Sequence, residues 1–175
     1  DKVLLLLVQG LSTRGVFHPI VVIPETGPLH SALLASNIEV HVGEVAKISR
    51  AIFTPLGLIR LGWKTFQAIR FLDRIVAGRS IGVVHSNTLA VLSGAVWAFF
   101  RRKKHLWHVH EIIISPKIVS KCFPYFVDWL SDRVMSNSTL TERWLLTVRP
   151  KLASRSVVVF NGLPAVNKPT EAALQ

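Results

Sequence analysis

The stretch IGVVHSNTLAVLSGAVWAFFRRKKHLWHVHEIII, residues 81–114, decides the fold of this chain. It predicts a strand over Ile81–His85, a helix from about Asn87 to Arg102 and a second strand over His105–His110. Each strand is a short apolar run that ends in histidine and polar residues, which is typical of a parallel strand buried on both faces. The stretch therefore indicates a strand–helix–strand unit of a parallel sheet.

The crossover in this unit gathers polar side chains at one edge of the sheet. A right-handed connection through the helix brings the carboxyl ends of both strands to the same edge. Open α/β sheets bind their ligands there. The side chains expected around this crevice are His85, Ser86, Asn87, His108, His110 and Glu111. We therefore predict that the functional site lies at this edge.

The rest of the chain continues the alternation of helices and strands. The predicted helices cover residues 1–14, 29–36, 61–78, about 120–130 and a last one from 139, and the predicted strands cover 18–23, 38–42, 133–136 and 156–160. The leucines of the first helix occupy most of its circumference, so we expect it to be largely buried. The alternation predicts an α/β fold: a Rossmann-like, doubly wound, mainly parallel sheet with helices on both faces. Because such a sheet normally starts with a strand, we infer that a first strand precedes Asp1.

Length and composition predict one domain with a full core. The chain has 175 residues, and half of them are hydrophobic. We assign residues 1–163 to this domain and 164–175 to a linker or tail, since Asn161 and Gly162 form a turn signal. No apolar run reaches the roughly 18 residues of a membrane span. The single cysteine, Cys122, favours a reducing, cytoplasmic setting.

The positive charge is concentrated in one part of the chain. The formal net charge is +11, and residues 45–110 hold eleven Lys or Arg against one acid, Asp73. Such asymmetry indicates an anionic partner, which is a membrane surface, a nucleic acid or a phosphorylated substrate. The alternative is that a basic surface only keeps the domain soluble.

Residues 50–79 combine this basic character with large apolar side chains, including Phe53 and Leu56. An interfacial segment of this kind places apolar residues in a bilayer and basic ones against anionic headgroups. We predict that Arg60, Trp63 and Lys64 face a membrane. The alternative is that the apolar residues pack beneath the sheet and the arginines are only solvated.

Metal and hydrolase signatures are missing from the sequence. It has one cysteine, no His-Glu-x-x-His, no Walker loop and no Gly-x-Ser-x-Gly elbow. Because alternate residues of a strand face opposite sides, we expect that His108 and His110 do not share a metal ion. We therefore predict no metal and no cofactor.

The polar residues of the crevice each have a structural alternative. A lone histidine such as His85 or His110 is commonly a partly buried residue bonded to backbone. Their convergence with Asn87 favours a ligand site. Glu111 either orients a sugar hydroxyl or is solvated. The residues of 136–138 could bind a ligand, but capping the next helix is their simpler role.

Five short motifs, in this order, carry a resemblance over nearly the whole chain. They are GPL (27–29), VVHSNT (83–88), HVHE (108–111), SDRVMSNS (131–138) and VVFNGL (158–163). In this order they resemble the N-terminal domain of family 4 glycosyltransferases, which have the GT-B fold. The resemblance implies two Rossmann-like domains with the active site between them. The N-terminal domain mostly holds the acceptor, and the C-terminal domain binds the nucleotide-sugar. Transfer retains the anomeric configuration and usually needs no metal.

The resemblance also implies roles for particular residues. His110 stands where family members place a histidine against the transferred sugar. Asn161 and Gly162 match the Asn-Gly that precedes the crossing to the donor-binding domain, so they would lie on the interdomain, donor side. Asn87 stands where many members have histidine. The C-terminal domain and the glycine-rich loop after the first strand are not in this sequence, so the resemblance implies a fragment that is inactive by itself.

The sequence thus predicts the acceptor-side half of a retaining hexosyltransferase of cell-surface polysaccharide synthesis, peripheral at the inner face of the cell membrane. Its catalytic residue is His110, and the side chains that shape the acceptor side are His85, Ser86, Asn87 and Glu111. The partners are a nucleotide-sugar, a glycan or lipid-linked acceptor and an anionic membrane. The alternatives are a sugar-nucleotide epimerase of the same fold and a basic domain that binds nucleic acid or membrane without catalysis. Nucleic acid is disfavoured because no RNP-type strand or helix-turn-helix pattern is present.

Overall fold

The computed structural model describes residues 2–43, 45, 54–89 and 91–162. Helices and strands alternate along this part of the chain. The helices are α1 (Lys2–Thr13), α2 (Pro28–Ala35), α3 (Pro55–Ile75), α4 (Ser93–Phe100), α5 (Lys117–Leu130) and α6 (Thr139–Val148), with a 3₁₀ helix over Pro150–Arg155. The strands are β1 (Ile20–Ile23), β2 (Glu39–Val42), β3 (Val83–Ser86), β4 (Lys104–Val109), β5 (Arg133–Ser136) and β6 (Ser156–Val158).

All strand pairs among the described residues are parallel. One sheet has the order β3-β4-β5-β6, and β1 pairs with β2 in a second sheet. Parallel strands joined by helical crossovers confirm the predicted Rossmann-like α/β fold. The single sheet that we expected is described as two sheets. Within the described residues, β1 pairs only with β2, and β3 only with β4.

Two hydrophobic clusters form the core. The larger cluster packs α4, α5 and α6 against one face of the four-stranded sheet, through Trp107, Val109, Phe123, Val127 and Leu145. The smaller one joins α1 and α2 to β1, through Val8, Val21, Ile23 and Leu33. The prediction that α1 is largely buried is wrong, since Val8 is its one buried residue. The smaller cluster covers only one stripe of this helix.

Helix α3 begins earlier than the sequence pattern indicates, at Pro55. Thr54 caps it, because its hydroxyl accepts a hydrogen bond from the Gly57 N–H at 3.0 Å. Proline suits the first turn of a helix because its missing N–H has no intrahelical acceptor there. Phe71 of α3 contacts Gly43, where any side chain would overlap its ring. This helix therefore packs beside the end of β2.

Helix α4 begins later than predicted, at Ser93, so a loop follows β3. Helix α6 is capped by Ser138, whose hydroxyl accepts from the Thr141 N–H at 3.2 Å. The tail predicted over 164–175, together with Phe53 and Arg50, lies outside the described residues. No helix in the described part of the chain is long and apolar enough to cross a bilayer.

Candidate functional site

Three polar residues follow the carboxyl ends of adjacent strands. Asn87 follows β3, His110 follows β4 and Asn137 follows β5. The register pairs Ser86 with Trp107 and Val109 with Ser136, so the three strands end at the same edge of the sheet. This is the edge at which parallel α/β sheets bind ligands.

Hydrogen bonds hold His110 in place at this edge. Its Nε2 lies 3.2 Å from Asn87 Oδ1, and the Asn137 amide donates to the His110 carbonyl at 3.4 Å. The Thr141 hydroxyl donates in turn to Asn137 Oδ1 at 3.2 Å. Because an amide oxygen can only accept, Nε2 of His110 carries a proton in this arrangement, and a neutral ring then has Nδ1 as an acceptor.

Burial lowers the pKa of His110, and the neighbouring Glu111 carboxylate opposes this effect by raising it. The residue is half-buried, so part of it remains accessible to solvent. A neutral, oriented imidazole at a ligand edge can accept or donate one hydrogen bond, or contact a positively polarised atom.

Glu111 organises the loop between β3 and α4. One carboxylate oxygen accepts from the Thr88 hydroxyl at 2.7 Å, and the other accepts from the Leu89 N–H at 3.3 Å. The buried Trp107 indole donates to the Thr88 carbonyl at 3.0 Å. Both Glu111 oxygens are thus engaged with the loop that carries Asn87. Its predicted contact with the acceptor stays a prediction, while its contact with the loop is observed.

His85 and His108 lie beside His110 on one face of the sheet. The ring centroids of His108 and His110 are 3.9 Å apart, and those of His85 and His108 are 5.5 Å apart. The prediction that His108 and His110 point to opposite sides is wrong. Successive residues alternate along a strand, so residues two apart share a face. His108-x-His110 is such a pair.

Several ring nitrogens of this group lack partners. Within the described residues, His85 Nε2 and both His108 nitrogens are buried without a hydrogen bond. Burial, followed by the neighbouring histidines, lowers the pKa of His85 to about 4 and that of His108 to about 4. Both rings are therefore neutral at neutral pH.

His85, His108 and His110 do not form a metal site among the described residues. Among residues 2–43, 45, 54–89 and 91–162, no group of three or more His, Cys, Asp or Glu could hold a metal ion. The rings of His108 and His110 are tilted by 38° to each other.

Ser86 belongs to the core and not to the crevice. It is buried, and its hydroxyl lies 3.0 Å from His105 Nε2, while His105 Nδ1 lies 2.8 Å from the Leu130 carbonyl. A Cβ on Gly94 of α4 would lie 2.7 Å from the same hydroxyl. Ser86 thus faces α4, opposite to His85, and we leave it out of the proposed acceptor set.

The remaining predicted residues lie on other elements than those that carry His85, Asn87 and His110. Asn161 and Gly162 are exposed after β6, which is the edge strand of the sheet, and β5 separates β6 from β4. Arg60, Trp63 and Lys64 are exposed on α3. Sequence reasoning underrated Asn137, which we considered as a ligand contact but ranked below a role in capping the next helix. Its position directly after β5 was the signal that could have placed it at the site.

One family model matches the chain. It is described as Glycosyltransferase Family 4, and the match covers residues 1–165. No curated protein and no solved structure matches the chain.

Proposed function

The chain belongs to glycosyltransferase family 4, and from this premise we propose that it is the acceptor-side half of a retaining hexosyltransferase. It acts with a nucleotide-activated sugar as donor and a glycan or lipid-linked acceptor, in the synthesis of cell-surface polysaccharide. A second, donor-binding domain completes the active site beyond Asn161 and Gly162. The observation that carries this proposal is the oriented, neutral His110 at the carboxyl edge of the sheet.

His110 contacts the sugar in the transition state. When the bond between the anomeric carbon and the departing diphosphate breaks, positive charge develops on the sugar ring and negative charge on the diphosphate. A neutral imidazole can face that positive charge without repulsion, and its Nδ1 lone pair can accept from a sugar hydroxyl. Because Asn87 and Asn137 already orient the residue, no reorganisation is needed at the moment of reaction.

The acceptor side is formed by the β3–α4 loop and the histidine face. Asn87 lies beside His110, and Glu111 fixes the loop on which Asn87 is carried. His85 and His108 form an uncharged floor below His110. An uncharged floor suits a sugar, which binds through hydroxyl groups and apolar ring faces. No metal or cofactor enters this proposal.

The test is sugar transfer by the protein with its donor-binding domain. It is incubated with a panel of nucleotide-hexoses and a lipid-linked or glycan acceptor, and the product anomer is assigned by NMR. We expect a product that keeps the donor's anomeric configuration. Inversion would contradict the retaining mechanism, and turnover of nucleotide-sugar without any acceptor would favour the epimerase.

The 175-residue chain alone provides a second test. Half of an interdomain cleft leaves a nucleotide-sugar largely in water, so we expect weak binding and no turnover. Calorimetry with the same panel measures this. Micromolar binding by this chain alone would mean that the donor site lies on this half.

We also propose that α3 attaches the protein to an anionic, cytoplasmic membrane surface. Trp63 is 61% exposed and Leu56 is 60% exposed, so they do not pack beneath the sheet as the alternative required. Trp63 lies 5.8 Å from Phe66, ring to ring, and Arg60 and Lys64 interrupt this apolar surface. A helix with such a surface lies in the plane of a membrane interface.

The direction of α3 supports this role. Asp73 near its end binds Arg101 at the end of α4, at 2.5 Å, and both helices lead into strands of the same parallel sheet. With a rise of about 1.5 Å per residue, the start of α3 extends about 15 Å beyond the start of α4. The exposed apolar part of α3 therefore projects towards the edge that carries His110. A lipid-linked acceptor would approach from that side.

Sedimentation with vesicles tests the attachment. We expect binding to vesicles that contain phosphatidylglycerol, weaker binding to phosphatidylcholine alone, and release by salt. Arg60→Ala with Trp63→Ala should weaken binding without a large change in melting temperature. Stronger, salt-dependent binding to arbitrary duplex DNA than to anionic vesicles would favour the nucleic-acid alternative.

A further inference from the structure

A second exposed aromatic surface lies at the ends of α4 and α5. Trp129 of α5 and Phe100 of α4 are 64% and 63% exposed. Phe99 connects them, since its ring centroid lies 4.9 Å from that of Trp129 and 5.7 Å from that of Phe100. We name these three residues the aromatic ridge. Large aromatic side chains exposed together mark an interaction surface.

Four consecutive basic residues follow the ridge, and two of them are neutralised. Arg101 pairs with Asp73 at 2.5 Å, and Lys104 pairs with Asp132 at 2.7 Å. In the part of the chain that the structure describes, no carboxylate pairs with the other two, Arg102 and Lys103. The ridge is thus bordered by two cations that no carboxylate of the described residues neutralises.

A cleft of about 280 Å³ lies beside the ridge, and its lining includes Phe99, Trp129, Arg102, Lys103 and the ion pair of Lys104 with Asp132. The cleft lies where α4 leads into β4, at the amino-terminal end of the strands. His110 follows the opposite end of β4. The cleft is therefore separate from the crevice and from the projecting start of α3.

We propose that the aromatic ridge, with Arg102 and Lys103, is a second contact with an anionic lipid surface, independent of α3. The charge pattern selects this occupant. A second copy of the chain would bring the same cations against each other, which disfavours self-association. Tryptophan and arginine or lysine together suit the interface, where the ring enters the headgroup level and the cation meets phosphate. The cleft accommodates a phosphate-bearing headgroup between aromatic wall and cations.

Two contacts at opposite ends of the helical layer fix how the domain meets the membrane. Helix α3 packs beside α4, and α4 beside α5, so the first contact and the ridge belong to neighbouring elements. With both contacts engaged, the helical layer lies along the bilayer and the domain does not pivot about α3. The crevice is then held at a constant distance from the lipid surface.

Tryptophan quenching separates the two contacts. The 175-residue chain is mixed with phosphatidylglycerol–phosphatidylcholine vesicles whose acyl chains are brominated, because bromine quenches tryptophan only at close range. In Trp63→Phe, Trp129 is the reporter of the ridge, and in Trp129→Phe, Trp63 is the reporter of α3. The variant with both changes gives the baseline from Trp97, Trp107 and Trp144, which are buried or half-buried.

We expect quenching above that baseline in both single variants. Quenching of Trp63 but not of Trp129 overturns the ridge and leaves the α3 attachment standing. Quenching of Trp129 but not of Trp63 supports the ridge and overturns the α3 attachment. If neither Trp63 nor Trp129 is quenched, the α3 attachment and the ridge contact are both overturned. This holds also if duplex DNA, and not the vesicles, alters the emission of Trp129.

A charge-matched pair of variants tests the cations. Arg102→Gln with Lys103→Gln should weaken vesicle binding about 30-fold, because both basic residues contribute about equally to the affinity for an anionic leaflet. The control is Arg143→Gln with Lys151→Gln, which makes the same charge change at exposed positions on α6 and the 3₁₀ helix. If both double variants lost the same vesicle affinity, the effect would be due to net charge alone, and the proposed site would be overturned. A melting curve of each variant establishes that it is folded.

Discussion

The two faces of strands β3 and β4 use histidine in different ways. On the face towards α4 and α5, the buried His105 has both ring nitrogens in hydrogen bonds, to Ser86 and to the Leu130 carbonyl. On the opposite face, His85 and His108 are held beside His110 with buried nitrogens that lack partners in the described residues. The histidine of the first face thus has its hydrogen bonds satisfied, whereas two histidines of the second face do not.

The difference concerns how many hydrogen-bonding atoms each face leaves unpaired within the described residues. A buried polar group that is already paired has nothing left to offer a ligand, whereas an unpaired one costs stability until something satisfies it. Such groups cluster where a site is functional. The comparison predicts that substitutions on the first face change stability, and that substitutions on the second face change activity or pH dependence.

The largest expected effect is on the second face. His110→Ala should lower sugar transfer by a factor of roughly 100 to 1,000, because it removes a preoriented contact to the transition state. Transfer is measured with the donor-binding domain present, alongside a thermal melt. The exposed His18 gives a matched control, and His18→Ala should leave transfer unchanged. Near-normal turnover by His110→Ala would refute its role, and loss of folding would make it a core histidine.

On the first face, His105→Leu should destabilise the domain by about 1–3 kcal/mol, because it leaves the Ser86 hydroxyl and the Leu130 carbonyl buried without partners. Denaturant unfolding measures this. Removing the hydroxyl as well, in His105→Leu with Ser86→Ala, should recover part of the loss. If His105→Leu instead lowered transfer with stability unchanged, the two faces would not be distinct.

The pH dependence of stability distinguishes the faces in another way. The pKa of His85 and of His108 falls to about 4 in the folded state, from an ordinary 6.5. The unfolded chain therefore binds more protons between these values. The two histidines do not lower the free energy of unfolding above about pH 6.5. As pH falls from there towards 4, each of them lowers it by at most about 1.4 kcal/mol per pH unit.

Chemical denaturation across this range at constant ionic strength measures the slope. His108→Phe should reduce it by less than half, because the lowered pKa values of His105 and His110 contribute to the same slope. The lowered pKa values of Glu39, Asp73 and Asp132 act at lower pH, since their ordinary values are 4.5, 3.8 and 3.8. An unchanged slope in His108→Phe would show that this ring is not kept neutral by burial.

The smallest expected effect concerns Gly94, on the first face. A Cβ at this position would lie 2.7 Å from the Ser86 hydroxyl, so Gly94→Ala must displace Ser86 from His105. We expect a loss of about 1 kcal/mol. In the Ser86→Ala background the obstacle is gone, and the same change should stabilise by about 0.5 kcal/mol through helix propensity. A cost that is equal in both backgrounds would mean that Ser86 is not the obstacle.

Much of the fold could be predicted from the sequence. Short apolar runs separated by helical periodicities indicate buried parallel strands, and polar residues directly after those runs indicate the ligand edge. Asn87 and His110 were predicted to converge on this basis, and they are in contact. The start of α3 was predicted six residues too late, at Leu61, because the helix was recognised from the apolar spacing of its later residues.

The sequence by itself determined the α/β class, the sheet edge at which Asn87 and His110 meet, and the family, because periodicity, strand ends and motif order are local properties of the chain. Only the tertiary structure decided which partners each side chain meets. Ser86 bonds to His105, and Glu111 bonds to the Thr88–Leu89 loop. The bonded residues are 19 to 23 positions apart in sequence. The exposure of Trp63 and Trp129 depended likewise on packing between helices. Such contacts depend on register and three-dimensional packing, which no local pattern specifies.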